Sequence, residues 1–311
     1  MSSGDDGAVS MDGDELWTAR PSVGFIGLGN IGAPMARRLA TWPGRLVVHD
    51  VVPEAMQKFT SRGSLGAANG AEIASQCAVI CVMVQNEAQV RAVLEGPDGI
   101  LATAAPGTVV AVHSTISPEG AVALAELAAS AQVDLVDAPV SGGAGGAREG
   151  TLAVMVGGSD SAVARCTRVF EHFAQMVQHM GPVGDGTRTK IARNLITFAS
   201  YAVVGEAQRL AEAAGLDLAK LGEVVRHSDR VTGGPGAIMV RDRTGPLDPD
   251  DGLRPIFAHS ATLAGKDVEL AIQMGEDLGV DLPLALLAAQ VLPSVLGIET
   301  YEPPTLDPDR G

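Results

Sequence analysis

The sequence predicts an α/β protein: an N-terminal domain built on a Rossmann-like parallel sheet, then an all-α domain with a long inter-domain helix at its start. Three observations carry this prediction. Short apolar runs alternate with helix-patterned segments of roughly a dozen residues through the first half. A glycine-rich turn joins the first run to the first helical segment. Beyond Gly186 the strand pattern ends, and the stretch from Thr187 to Ala214 contains no proline and a single glycine, Gly205.

The strands follow in order. Val23-Gly24-Phe25-Ile26-Gly27 is a short apolar run ending in glycine, followed by a helical pattern from Ile31 to Ala40. Leu46-Val47-Val48-His49-Asp50 is the second strand, and Ala78 to Val84 the third. Thr108 to His113, Val133 to Asp137 and Leu152 to Val156 complete the set. Such spacing implies βαβ units. The helix from Thr187 would run about 40 Å, stopped by Gly215 as C-cap. Its all-round apolarity suits a buried spine. Further helices are expected over 217–229, 257–279 and 283–296, with 230–256 a loop around a short helix. The domains are therefore drawn as a disordered acidic tail (1–20), a dinucleotide-binding domain (21–183) and a helical substrate and oligomerisation domain (184–311). Met11 is an alternative start.

The chain has 311 residues, 46% of them hydrophobic but only 3% aromatic, so its core is aliphatic. A net charge of −15 argues against nucleic acid and anionic membranes as partners. It also repels small anionic substrates at long range, so an anion site must be made locally. Cys77, Cys81 and Cys166 show no metal-ligand spacing and no disulfide framework, and no metal is expected. No apolar stretch reads as a membrane span or signal peptide, which fits a cytoplasmic protein.

Gly27-Leu28-Gly29-Asn30-Ile31-Gly32 is G-x-G-x-x-G placed between a strand and a helix, the context a dinucleotide needs. Gly27 makes the turn, Gly29 admits the pyrophosphate, and Gly32 packs the helix on the strand. Asp50 ends the second strand, where a carboxylate accepts hydrogen bonds from the adenine-ribose hydroxyls and repels a 2′-phosphate. This favours NAD over NADP. Val84, Gln85, Gln89 and Thr115 follow strand ends, where ligands of parallel sheets bind. A histidine at such a place, His113, reads as structural.

Asp137-Ala138-Pro139-Val140-Ser141-Gly142-Gly143 and the small residues after it expose backbone N–H groups that can form an anion-binding concavity, with the Ser141 hydroxyl as a further donor. Lys190 is one of four lysines against eighteen arginines. A lysine can lose its proton where an arginine cannot. Its place just after a Gly-rich turn, with Asn194 one helical turn on, points to acid–base work.

Together these segments resemble the β-hydroxyacid dehydrogenase family, which includes 3-hydroxyisobutyrate dehydrogenases and tartronate semialdehyde reductases. The resemblance rests on Gly27 to Ala36, Ser114 to Pro118, Asp137 to Gly150 and Gly184 to Asn194, with Phe257 to Ala271 as a fifth block. It implies hydride transfer between a small carboxylate-bearing 3-hydroxy acid and the nicotinamide. Lys190 would be the general acid/base, and Asn194 would hold substrate and lysine. Ser141, Gly142 and Gly143 would bind the carboxylate. Gly27, Gly29, Asn30, Ile31 and Gly32 would cradle the nucleotide, with Thr115, Phe257 and Lys266 contacting it. A homodimer or homotetramer is expected. Arg193 stands where relatives often carry Asn or His, and Gln85 where many carry proline. The alternatives are an imine reductase, which typically lacks the lysine, and a non-catalytic NAD(P)-binding protein.

Overall fold

The computed structural model describes residues 22–241 and 244–301. The acidic tail of 1–20 and the acid-rich last ten residues lie outside the described part. The chain divides into two compact units, 1–193 and 194–311.

The first unit is built on a nine-stranded sheet in the order β3-β2-β1-β4-β5-β6-β8-β7, with β9 beside β8. The strands are β1 (Ser22–Ile26), β2 (Leu46–His49), β3 (Leu65–Gly66), β4 (Cys77–Val82), β5 (Val109–Val112), β6 (Asp134–Asp137), β7 (Val140–Ser141), β8 (Leu152–Gly157) and β9 (Ala174–Gly181). Strands β1 to β6 pair in parallel. β8 runs antiparallel to β6 and β7, and β9 returns parallel to β8. The sheet is thus parallel-dominated, with a reversal between β7 and β8.

Alternation sends successive residues to opposite faces, and both faces are covered, so the central strands read as continuous apolar runs. One face holds Phe25, Val79, Cys81, Ala111 and Val136 under Met35, Cys166 and Phe170. The other holds Ile80, Val82, Val110 and Val112 under Ile73, Leu94 and Leu124. Each fully buried Val, Ile or Phe contributes about 1.5–3 kcal/mol. The three cysteines are free and buried. Burial pushes the Cys81 and Cys166 thiols up, so these are inert core residues.

The covering helices are α1 (Gly32–Arg38), α2 (Pro53–Thr60), α3 (Gly70–Ala74), α4 (Glu87–Leu94), α5 (Pro118–Ala129), α6 (Gly143–Glu149) and α7 (Asp160–Phe170). Local chemistry starts several of them. The Asn86 side chain accepts from the Gln89 amide and the Ser117 hydroxyl from the Gly120 amide, each the kind of cap worth about 1 kcal/mol.

The long helix, α8, spans Asp185–Ala213, two residues ahead of the predicted start. Gly215, at φ +74°, ends it: the Leu216 amide returns to the Ala211 carbonyl and the Gly215 amide to that of Glu212. The division between units falls inside this helix, at Arg193. The second unit adds α9 (Leu218–Thr232), α10 (Arg254–Leu278) and α11 (Pro283–Val295), with one short 3-10 turn at Gly234–Ile238. Buried Glu206 of α8 accepts the Leu284 and Ala285 amides at 2.8 and 3.1 Å, capping α11. Its apolar core is small, centred on Leu247, Phe257 and Leu296. Phe198, Tyr201, Leu263 and Leu270 are exposed. No helix of the described residues is long and apolar enough to cross a membrane.

His113 is buried at the end of β5, its Nδ1 2.7 Å from the Ala138 carbonyl and its ring edge-on to Phe170 and Phe173. Burial lowers its pKa to about 4 from 6.5. As pH falls through that window the unfolded chain takes up a proton that the folded chain refuses. Stability is therefore lost on acidification, by about 1.4 kcal/mol per pH unit. Urea unfolding at pH 7 and pH 5 checks this: His113→Phe is expected to lose about 2 kcal/mol less between the two than the wild type.

Candidate active site

The turn after β1 is shaped by close backbone contacts. The Gly27 amide donates to the His49 carbonyl at 3.0 Å, and the Met83 amide donates to Ile26 at 2.8 Å. Gly27 sits at φ +92°, and a Cβ there would strike the Met83 carbonyl. At Gly32 a Cβ would strike the Gly27 carbonyl and the Phe25 ring. Gly29 differs, because a Cβ there would meet nothing of the protein within 4 Å. Its backbone is open on the side where a ligand would lie. No side chain caps α1 at Ile31. The Ala33 amide donates to the Gly29 carbonyl at 3.0 Å and Pro34 has no N–H, so the capacity of this helix start to bind an anion rests on the Gly32 amide.

The Asp50 carboxylate is drawn into this turn. One oxygen accepts the Leu28 amide at 2.6 Å and the other the Val52 amide at 2.8 Å. At the end of β4, Val84 is pinned by buried Ser114, whose hydroxyl accepts the Val84 amide (2.9 Å) and donates to its carbonyl (2.7 Å). Sequence reasoning placed Ser114 with Thr115 at this edge by position alone, without the pinning role of its hydroxyl. A hydroxyl at a strand end beside exposed Thr115 was its only signal. Gln89, on α4, folds back so that its side-chain oxygen accepts the Gln85 amide at 2.8 Å.

The glycine turn, Asp50, Val84, Gln85, Gln89 and Thr115 thus gather at the carboxyl edge of the parallel strands, on either side of the β1/β4 switch point. These residues fit a dinucleotide: a backbone open to a diphosphate at Gly29, the Gly32 amide at the helix start, and a carboxylate beside the neighbouring strand.

At the same edge lies the second cluster. The glycine-rich segment predicted as an amide-bearing loop is more regular than expected: Val140 and Ser141 form β7, and Gly143–Glu149 forms α6. Gly142 and Gly143 adopt φ +128° and +62°, and Cβ atoms on Gly143 and Gly145 would point into open space. The first amides of α6 are therefore presented at Gly143 to Gly145 beside the Ser141 hydroxyl.

Lys190 reaches this segment. Its half-buried Nζ donates to the Val140 carbonyl at 2.6 Å, one residue before Ser141. Burial lowers the lysine's pKa, and the cation of Arg193, one turn on, lowers it further. Because α8 starts at Asp185, Lys190 stands in its second turn rather than its first. The helix-end field, which fades within one turn, is thus a lesser cause than burial. Asn194 follows on the next turn of α8, as the first residue of the second unit. In that unit Lys266, on α10, is exposed and pairs with Asp267 at 3.2 Å. Phe257 is buried in the small core.

The fold and this edge define a two-unit dehydrogenase with a nucleotide-binding sheet. Residues 22–181 match the model of the NAD-binding domain of 6-phosphogluconate dehydrogenase. Residues 184–299 match that of the NAD-binding segment of NADP-dependent 3-hydroxyisobutyrate dehydrogenase. The chain is 51% identical to an uncharacterized oxidoreductase of Mycobacterium tuberculosis over 278 residues, 89% of this chain and 94% of that one. It is 35% identical to 3-hydroxyisobutyrate dehydrogenase of Pseudomonas aeruginosa over 274 residues, 86% of this chain and 89% of that one. A solved oxidoreductase from Mycobacterium avium superposes with a TM-score of 0.85 at 49% identity, covering 89% of this chain and 98% of that one. The chain belongs to the β-hydroxyacid dehydrogenase family of NAD(P)-dependent oxidoreductases.

The open backbone at Gly29 supports a sharp test. Gly29→Ala meets no protein atom, so the melting temperature of the nucleotide-free protein is expected to stay within about 2 °C of wild type. NADH binding, followed by fluorescence, should weaken at least about tenfold, because the methyl intrudes on the diphosphate. Unchanged binding would place the nucleotide elsewhere.

Proposed function

We propose that the protein is an NAD-dependent dehydrogenase of small 3-hydroxy acids, of the 3-hydroxyisobutyrate kind, with Lys190 as the general acid/base. The single observation that carries this reading is the place of the Lys190 amine. It is half-buried, lowered in basicity, and bonded to the residue that precedes the Ser141–Gly143 segment. An acid–base group and an anion-binding backbone thus share one corner of the sheet edge.

When bound, the nicotinamide supplies the hydride acceptor or donor. The protein's own residues do the rest. The Ser141 hydroxyl and the amides of Gly142 and Gly143 hold the substrate carboxylate, which the strongly acidic chain would otherwise repel. Lys190 in its neutral form takes the hydroxyl proton as the alcohol is oxidised, and its ammonium returns a proton in reduction. Asn194 donates to substrate without competing for the proton. Asn30, Ile31 and Thr115 line the nucleotide's path at the sheet edge, and we assign Lys266 and Phe257 of the helical unit to nucleotide contact and to its support.

Lys190→Met is expected to lower kcat by about 10²–10⁴ while leaving the NADH dissociation constant within about twofold. Stopped-flow turnover and a binding titration measure the two separately. Turnover of 3-hydroxyisobutyrate, 3-hydroxypropionate and glycerate that survives the substitution would remove the lysine from the chemistry. Oxidation requires the neutral amine, so its rate rises with pH through the Lys190 ionisation. Arg193→Ala removes a cation that holds this pKa down, so the rising limb of the kcat profile should move to higher pH.

The preference for NAD over NADP rests on the Asp50 carboxylate, fixed against the glycine turn by the Leu28 amide. Asp50→Ser should narrow the ratio of NADH to NADPH affinities at least about tenfold. The apolar side chains exposed on the helices of the second unit support self-association into a dimer or tetramer, which sedimentation velocity would read directly.

A further inference from the structure

Lys190 depends on a residue that the reaction itself does not use. Asp137 ends β6, where it pairs with Val112 of β5 and Gly157 of β8, and its side chain is fully buried. One carboxylate oxygen accepts the Gly184 amide at 2.8 Å and the other the Thr187 amide at 2.6 Å. Those amides belong to the residue before Asp185 and to the third residue of α8. The helix start is therefore capped by a side chain 50 residues earlier in the chain. From Thr187 the helix makes one turn to Lys190, whose Nζ comes back to the Val140 carbonyl, three residues beyond Asp137. A strand end grips the helix, and the helix grips the same strand end in return.

The strap between the two grips is itself held. The Ala138 amide donates to the Val112 carbonyl, the Ala138 carbonyl takes His113 Nδ1, and the Pro139 carbonyl accepts the Met155 amide. Contact at the helix start is also close: a Cβ on Gly186 would press on the Asp137 carbonyl and the Gly157 amide. With the strap fixed and the helix pressed against it, the carboxylate bonds set the rotation and height of the first turns of α8.

We propose that Asp137 is the positioning residue for the Lys190 amine, holding the first turns of α8 so that the amine lies against Val140 at the entrance to the Ser141–Gly143 segment. The proposal rests on the acid–base reading of Lys190 and adds the residue that aims it. Asparagine in its place would turn an NH₂ toward one of the two N–H donors, replacing that bond with a donor–donor clash while its oxygen keeps the other. The charged and titratable groups near the lysine are Arg193 on its own helix, the Arg188–Asp185 pair on the preceding turn, Asp137 itself, and His113 behind the Ala138 carbonyl.

The test uses the full-length protein with ¹³C at the lysine ε carbons. With four lysines in the chain, four resonances are expected, and Lys190→Arg assigns the one of interest by its loss. In the wild type that resonance is expected to titrate below the ordinary lysine range, because the amine is half-buried beside Arg193. In Asp137→Asn it should titrate higher, toward an ordinary lysine, because a loosened turn lets water reach the amine. In the same variant kcat per NADH-binding site should fall about 100-fold, with the NADH dissociation constant within about twofold of wild type. A Lys190 titration unchanged in Asp137→Asn, with kcat per site within about threefold of wild type, overturns the proposal. Should that variant fail to fold, Asp137→Glu keeps the negative charge but moves it by a methylene, and is held to the same two readouts. The titration needs no substrate, so it stands apart from the acid–base reading, which Lys190→Met turnover decides by itself.

Discussion

A helix that begins against a sheet carries unsatisfied amide groups into a dry place, and the whole of the candidate site depends on how they are satisfied here. One carboxylate, that of Asp137, takes two of them. Desolvation raises its pKa, while the bonds from the Gly184 and Thr187 amides oppose that shift by favouring the charged form. A buried charge of this kind is tolerable only when its oxygens are hydrogen-bonded and a favourable field faces it. The first turn of a long helix provides both. The arrangement joins the end of a strand to the start of the helix that carries Lys190, through the Gly184 and Thr187 amides.

The same solution recurs in the helical unit, where Glu206 of α8 caps α11 through the Leu284 and Ala285 amides. In both places the helix start has no Ser, Thr or Asn cap of its own to do the work: Gly184 precedes α8, and Leu282 precedes Pro283 at the head of α11. An acidic chain with few aromatic residues thus uses distant carboxylates to set the starts of two of its helices.

What could be read from the sequence was whatever is enforced locally. The dinucleotide turn is written in glycine spacing because Gly27 and Gly32 answer contacts with the adjoining strand or within a few residues, while Gly29 keeps its backbone open. The central strands are legible because a sheet covered on both faces must be apolar throughout. β7 and β9 were not foreseen. The first is two residues long and follows a proline. The second is an edge strand whose alternating Gln and exposed Met176 do not resemble a core strand. The placing of Lys190 could be anticipated from its rarity and its glycine-rich prelude, but the start of its helix could not, since that start is fixed by Asp137 far back in the chain. For the same reason Asp137, read only as the head of the glycine-rich segment, gave no sign of capping a helix, and Phe257, named with the nucleotide segment, gave no sign of its place in a core.

Because the opening turns of α8 are tied to β6 and β7, the physical seam of the chain lies at Arg193 and not at the glycine turn that looks like a linker. A fragment cut at Gly181, where the last strand ends, would leave the Asp137 carboxylate with neither amide partner. An autonomous nucleotide-binding module of this protein has to carry two turns of helix beyond its sheet, and in carrying them it takes Lys190 along.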